Sequence, residues 1–507
     1  MRKSIEKIAD NQKIICIFVV ERKQNTKQIS ASAMATKLQQ ISELSTLICD
    51  KNTICGEIHS LFDRFRINKS LKKLNMEKQK GQSTNVLLKC LLIFRLCGNT
   101  IYQSYLQRFG GITDGGKNQF YRILERPNMD WRKLLIMMAK SFVRIVKTAG
   151  QTNGFKYAII DDTTLEKTGK TIESITKVYD HTTHSFVLGF KKLLLAISDG
   201  KSTIPFDFSL HSETHSDNSG GLTPKQKRNR RIVKRSDNDC AKQRKSELKQ
   251  KKNDMAIIML KRMFKFGIHP LYVLVDKWFC NAAFIAEVRK IGKGAMHIIS
   301  LVKDKRTKFS INGIIKSAQI LCKEHDHNLH YCRQYRCRYF KIDAVLNGMN
   351  VRLFVVRYGN NGYEVMITTD KSLRFQQAFE NYQQRWSIEV LFKECKQYLK
   401  LGSCQSTNLN SQIADCTIVL MGYMILSLFK RFSDYEVLGE LFRDCQKQFL
   451  ELSFIERLLP LLAHILSTIL NLCNTSWNEL LENLMANEQA QAELIPFLKI
   501  INTSKNE

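Results

Sequence analysis

The chain has 507 residues, with 79 Lys and Arg against 47 Asp and Glu, for a formal net charge of +32. That surplus fits a polyanionic partner, nucleic acid or an anionic membrane surface, and is far outside what an ordinary soluble enzyme carries. The length allows a large core and about two to four domains. The 15 cysteines follow no framework spacing, which fits free thiols in a reducing cytoplasm and not a disulfide scaffold.

In chain order, residues 1–59 are polar, mixed and without a clear period, a poorly defined N-terminal extension. Ile14–Val20 is apolar but brief and lacks a small-residue cleavage site, so no signal peptide is expected. Met34, after a Ser/Ala-rich stretch, is an alternative start. Residues 60–150 read as a helical domain. Leu61, Phe62, Phe65 and Leu71 recur at helical spacing, Val86–Leu96 is apolar, and glycine pairs at Gly110-Gly111 and Gly115-Gly116 precede further helices. Arg64, Lys69, Lys72, Lys73, Lys78 and Lys80 interrupt these helices, as on a DNA-facing surface.

From Lys156 the period becomes that of strands. Tyr157–Ile160 leads to Asp161-Asp162, and Phe190–Ser198 and Thr203–Leu210 are joined at an Asp199-Gly200 hairpin signal. Residues 212–252 are polar, with 13 Lys/Arg against three acids between Lys225 and Lys252. They read as a basic arm on DNA phosphates, carried by Lys227, Arg228, Arg230 and Arg231. A helix through Met255–Met263 follows, then a strand, Pro270–Val275, ending at Asp276, a helix over Ala282–Ile291 and a strand over Met296–Val302. The order is that of a mixed α/β sheet. Residues 151–306 form the first part of this core. Residues 307–371 are a β-rich insertion with hairpin turns at Asn347-Gly348 and Asn361-Gly362. Residues 372–430 complete the core, and 431–507 are a helical C-terminal region. The apolar runs Cys416–Phe429 and Leu458–Cys473 are short for a membrane span and read as buried helices; no membrane partner is expected.

Asp162 and Asp276 each end an apolar strand, where a carboxylate is costly unless paired or metal-bound. Glu389 lies on a helix with Tyr382, Arg385 and Lys396; at ~100° per residue the four side chains fall within roughly 60°. Three carboxylates from distant segments suit Mg²⁺ or Mn²⁺, and the cations beside Glu389 suit an anionic substrate. A lone strand-end Asp is more often a turn former; the helical pattern tips the balance. Arg385 has a competing use, a salt bridge to Glu389 one turn along, Lys396 could be a solvated cation, and Trp386 reads as a packing residue. Cys322, His325, His327, His330, Cys332 and Cys337 are dense in zinc-ligand types but lack the usual paired spacing, so they carry no zinc assignment.

The string Tyr382-x2-Arg385-x3-Glu389-x6-Lys396 resembles the motif of the insertion-sequence family 4 group of bacterial DDE transposases. Ile160-Asp161-Asp162-Thr163-Thr164-Leu165-x-Lys167-x-Gly169, Val273–Phe279, Tyr179-Asp180-His181, Gly189-Phe190-Lys191 and Pro205–Phe208 are similar to stretches of that group too, over roughly residues 60–430. The resemblance implies a ribonuclease-H-like α/β core with a β-rich insertion and cut-and-paste transposition by a homodimer on paired ends of double-stranded DNA. It also implies two Mg²⁺ (or Mn²⁺) ions on Asp162, Asp276 and Glu389, with Tyr382, Arg385 and Lys396 at the DNA, in a bacterial, nucleoid-associated setting. By resemblance the catalytic Asp directly precedes Thr, which selects Asp162 and leaves Asp161 as a neighbour. A stacking Trp within the insertion is missing, since none falls between Trp278 and Trp386; Tyr339, Tyr358 or Tyr363 are the substitutes. Two alternatives remain open at this point: a DNA-binding derivative without catalysis, and a metal-dependent nuclease with the same core that does not join strands.

Overall fold

The computed structural model describes residues 61–106, 116–213, 220–304, 306–359, 362–447 and positions 469, 472, 473 and 475. The readings of residues 1–59, of the glycine pairs before Gly116, of the Asn361 turn and of most of 431–507 lie outside those residues.

The first region is helical, as its apolar period predicts: α1 (Ile67–Lys73), α2 (Thr84–Leu96), α3 (Ile101–Leu106), α4 (Asn118–Glu125) and α5 (Trp131–Thr148). Ser83 caps α2 by accepting from the Val86 N–H, and Asp130 caps α5 by accepting from the Lys133 N–H. These helices do not form a separately cored unit. α5 packs on the sheet and on the long helix α13 (Leu409–Phe432), and one hydrophobic cluster runs from Leu61 to Cys445.

The core sheet begins with β1 (Tyr157–Glu166), β2 (Thr176–Asp180), β3 (Ser185–Ser198) and β4 (Thr203–His211). β3 pairs antiparallel with β1, β2 and β4. Gly189 sits at the closest approach of β3 to β1: a Cβ there would lie 2.1 Å from the Leu165 carbonyl oxygen. After α6 (Pro224–Arg228), α7 (Cys240–Glu247) and α8 (Lys252–Lys265), β5 (Tyr272–Val275) joins β1 in parallel. α9 (Ala282–Ile291) then leads to β6 (His297–Leu301), parallel to β5. The spatial order is β4-β3-β1-β5-β6.

The insertion is β-rich, as predicted, but it does not stand apart. It contains β7 (Lys308–Ile311), β8 (Ile314–Ser317), α10 (Ala318–Glu324), β9 (His330–Cys332), β10 (Cys337–Leu346), β11 (Met349–Arg357) and β12 (Tyr363–Thr368). β12 pairs with β6, so core and insertion form one sheet of 12 strands among the described residues. The Asn347-Gly348 turn joins β10 to β11 with both residues at positive φ, 45° and 80°.

Two expectations are corrected here. The single helix from Tyr382 to Lys396 is two helices, α11 (Phe375–Gln383) and α12 (Trp386–Gln397). Between them the chain tightens into i→i−3 bonds, Arg385 N–H to Tyr382 O at 2.9 Å and Ile388 N–H to Arg385 O at 3.2 Å. The basic segment, read as a loose arm, is folded: it forms α6 and α7, and the Arg231 N–H donates to Thr171 O and the Cys240 N–H to Pro127 O. α13 is 24 residues long and apolar enough to cross a membrane by length and composition, longer than the Cys416–Phe429 run indicated. Its apolar window is wholly buried, and it packs against α5, α2 and α4.

Candidate active site

Alternation along β1 sends successive side chains to opposite faces. Tyr157 and Asp161 point towards α11 and α12: the Tyr157 hydroxyl donates to Asn381 Oδ1 at 2.6 Å, and Arg385 Nη1 donates to Asp161 Oδ2 at 3.1 Å. Asp162 and Thr164 point to the other face. There Lys252 Nζ, at the start of α8, binds Asp162 Oδ2 at 3.0 Å, Thr164 donates to Asp180, and Lys191 donates to Thr164.

The parallel register pairs Ile160 with Val275. The next step along both strands sets Asp161 beside Asp276. Among the described residues no side chain donates to the Asp276 carboxylate. Glu389, on the first turn of α12, is tied to Asp161 through one residue: Arg385 Nη2 lies 2.7 Å from Glu389 Oε1 while Nη1 holds Asp161. Tyr382 lies 5.9 Å from the Arg385 guanidinium by its ring centroid and is a charged-state neighbour of Asp276.

Of the predicted carboxylates, the structure therefore brings Asp276 and Glu389 to one face and leaves Asp162 on the other. Asp161, the aspartate passed over in the sequence, is the one that Arg385 links to Glu389; like Asp276 it comes one residue past the Ile160–Val275 pair. It is not solvated either. Burial, with repulsion from Asp162 and Asp276, pushes its carboxyl up to about 7, against the pull of the Asp162 N–H and the Arg385 guanidinium. The predicted salt-bridge use of Arg385 is present, extended to Asp161. Lys396 lies two turns past Glu389, with Asp180 and Lys191 as its charged neighbours. Trp386, read as a packing residue, is 61% exposed.

Arg231 and Arg230, two cations of the predicted arm, are held by the protein. Arg231 meets Glu125 at 3.3 Å and Thr407 at 3.2 Å, and Arg230 donates to the Ile175 carbonyl at 3.1 Å. Arg228 is exposed. Among the proposed stacking tyrosines, Tyr339 lies face to face with Phe375 at 4.0 Å, and Tyr363 is bound to Asp326. A group that the sequence reading did not assign is Trp278, two residues past Asp276. It is 56% exposed, with Lys303 Nζ 3.6 Å above its ring and His181 at 5.9 Å. Its exposure follows from the turn after β5, in which the Phe279 N–H returns to Asp276 O.

Among the described residues no three His, Cys, Asp or Glu side chains stand close enough to hold a metal ion. At the carboxylates the reason is visible: a guanidinium occupies the space between Asp161 and Glu389. The donor set itself is oxygen-only, the ligand type that a hard divalent cation takes.

Residues 97–305 match the family described as DDE superfamily endonuclease, and residues 234–425 match the family described as transposase DDE domain. No curated protein matches the chain. Among solved structures, the chain is similar to a piggyBac transposase in a synaptic complex with hairpin DNA. The TM-score is 0.41 at 10% identity, over 79% of this chain and 81% of that one. The two matches overlap at residues 234–305 and together span residues 97–425, a stretch that includes Asp161, Asp276 and Glu389.

Proposed function

We propose that this protein is an active transposase that binds the ends of an insertion sequence and carries out metal-dependent strand cleavage and strand transfer on DNA. The observation that carries the reading is that Asp161 and Asp276 each follow the Ile160–Val275 pair of two adjacent parallel strands, with Glu389 linked to Asp161 through Arg385. The strand order β4-β3-β1-β5-β6, antiparallel on one side of β1 and parallel on the other, supports a ribonuclease-H-like core. The Tyr-Arg-Glu-Lys string supports the insertion-sequence family 4 group, and with it a homodimer on paired ends in a bacterial cytoplasm.

Asp161, Asp276 and Glu389 would hold Mg²⁺ or Mn²⁺, which polarises a phosphodiester and activates the attacking oxygen. The chain's own residues supply the rest. Arg385, once drawn from the carboxylates, has a planar fork suited to a phosphate. Tyr382 and Lys396 line the approach, and Trp278 offers an exposed ring to an unstacked base. Arg228 adds a surface cation for the backbone.

The test is cleavage of a duplex carrying the element's own end, with and without Mg²⁺. Asp161→Asn, Asp276→Asn and Glu389→Gln should each abolish nicking while duplex binding persists. Asp162→Asn should keep activity. Nicking by a variant lacking all three carboxylates would refute the assignment. Loss of activity in Asp162→Asn, with Asp161→Asn still active, would restore the sequence-based choice.

A further inference from the structure

Beside β4, α5, α7 and α8 meet around a buried ion cluster. Arg132 donates to both oxygens of Glu247, at 2.8 and 2.6 Å, and to Asp207 at 3.0 Å. Arg262 Nη1 binds the second Asp207 oxygen at 2.8 Å. Arg244 lies over the Phe208 ring at 4.3 Å, with its Nε 3.7 Å from Glu247. Three guanidiniums thus share two carboxylates.

The three arginines of this cluster line a cavity of about 360 Å³, together with Pro127, Asp237 and Asn238 among others. Four buried donors on its lining residues make no hydrogen bond: Arg244 Nη1 and Nη2, Trp131 Nε1, and Arg262 Nη2, which lies 3.6 Å from Glu247 Oε1. Arg244 is 6% exposed and Trp131 4%. The lining carboxylates are already engaged. Asp130 caps α5 and holds Lys133, Asp239 accepts from the Ala241 N–H and pairs with Arg235, and Asp237 pairs with Lys242. The cluster thus sets three guanidiniums against two carboxylates, and its unbonded donors belong to residues that line the cavity. Water would satisfy the N–H groups but leave the charge uncompensated; an anion does both.

We propose that this cavity is a binding site for a phosphate group, held by the Arg244 fork, Arg262 Nη2 and the Trp131 indole N–H. Three of the four donors are guanidinium N–H groups, whose planar fork matches an oxyanion better than a spherical ion. The group reaches the cavity either as free phosphate or on a DNA backbone. Bound there, it ties α7 of the basic segment to α5 of the helical region. The site is independent of the carboxylate reading.

The experiment is calorimetric titration of the full chain with inorganic phosphate, against chloride at equal ionic strength, with tryptophan emission followed in parallel. Saturable phosphate binding with a change in emission is expected. Arg244→Lys, which keeps the charge and loses the fork, should bind about tenfold more weakly or worse, the fold-change of one lost charge-assisted hydrogen bond. Trp131→Phe should keep the fold, weaken binding and remove the emission change. Absence of saturable binding, or affinity unchanged in both variants, would overturn the proposal. If phosphate competes with duplex, and that competition is lost in Arg244→Lys, the source is the DNA backbone; if duplex binding is indifferent to phosphate, the source is free phosphate.

Discussion

Asp161→Asn should make the folded protein more stable than the parent at pH 8 and barely so at pH 4. Burial is the largest influence on this carboxyl and raises it from 3.8 to about 7. Arg385 and the Asp162 N–H pull down, and the Asp162 and Asp276 carboxylates push up. Between those two values the folded chain keeps a proton that the unfolded chain has released, so stability falls as pH rises. The advantage of the protonated form is complete below the usual carboxylate range and is lost once pH passes about 7. The difference corresponds to about 4 kcal/mol. The Asp161 side chain is 16% exposed, so solvent removes only a fraction of that. Asn keeps the shape without the charge, and Arg385 still has Glu389 at 2.7 Å. The assay is urea unfolding at pH 4, 6 and 8. The gap between variant and parent should widen by up to about 4 kcal/mol over that range, and Mg²⁺ should stabilise the parent more than the variant at pH 8. If the variant instead loses more stability at pH 8 than at pH 4, Asp161 is an ionised, stabilising partner of Arg385 and the reasoning fails.

His211 is buried, with Nδ1 facing the Gln250 carbonyl and Nε2 facing Ser209, and burial lowers its pKa to about 4. Its contribution is present above the unfolded value near 6.5 and is lost as pH falls towards 4, so His211→Gln should flatten acid unfolding by about 3 kcal/mol between pH 7 and pH 4. Arg132→Met should cost about 3 kcal/mol or more in chemical denaturation, because Asp207 and Glu247 lose their main buried partner; a loss below about 1 kcal/mol would mean that Arg262 and Arg244 compensate. Arg228→Ala should lower the salt slope of duplex binding by about one unit, whereas Arg231→Ala should act through its Glu125 and Thr407 contacts; binding across a salt series separates the two. Trp278→Ala should leave duplex affinity nearly intact and weaken binding of a strand with an unpaired end, read by anisotropy; equal loss on both substrates would make it a backbone contact.

Local sequence determined a good deal of this protein. Apolar runs bounded by turn residues marked β1, β3, β4 and β5, and Asn347-Gly348 specified its hairpin because only residues tolerant of positive φ fit there. The ends of apolar runs marked Asp161, Asp162 and Asp276, although β1 continues past the first two to Glu166, and helical spacing placed Glu389 one turn from Arg385. Alternation also required that Asp161 and Asp162 face apart. Which of the two meets Glu389 was beyond local pattern, because it depends on the β1–β5 register and on the face that α11 and α12 cover, both set by packing between residues more than a hundred positions apart. The same holds for the basic segment. Its composition reads as a solvated arm, but a composition does not reveal that Glu173 on a distant element binds Arg235 and Lys245 of the segment, or that its own Glu247 binds Arg132 of α5. Buried carboxylates without a cation are too costly to leave unpaired. That long-range pairing, absent from any local window, turned a charge run into α6 and α7 and left the donors of Arg244 facing a cavity.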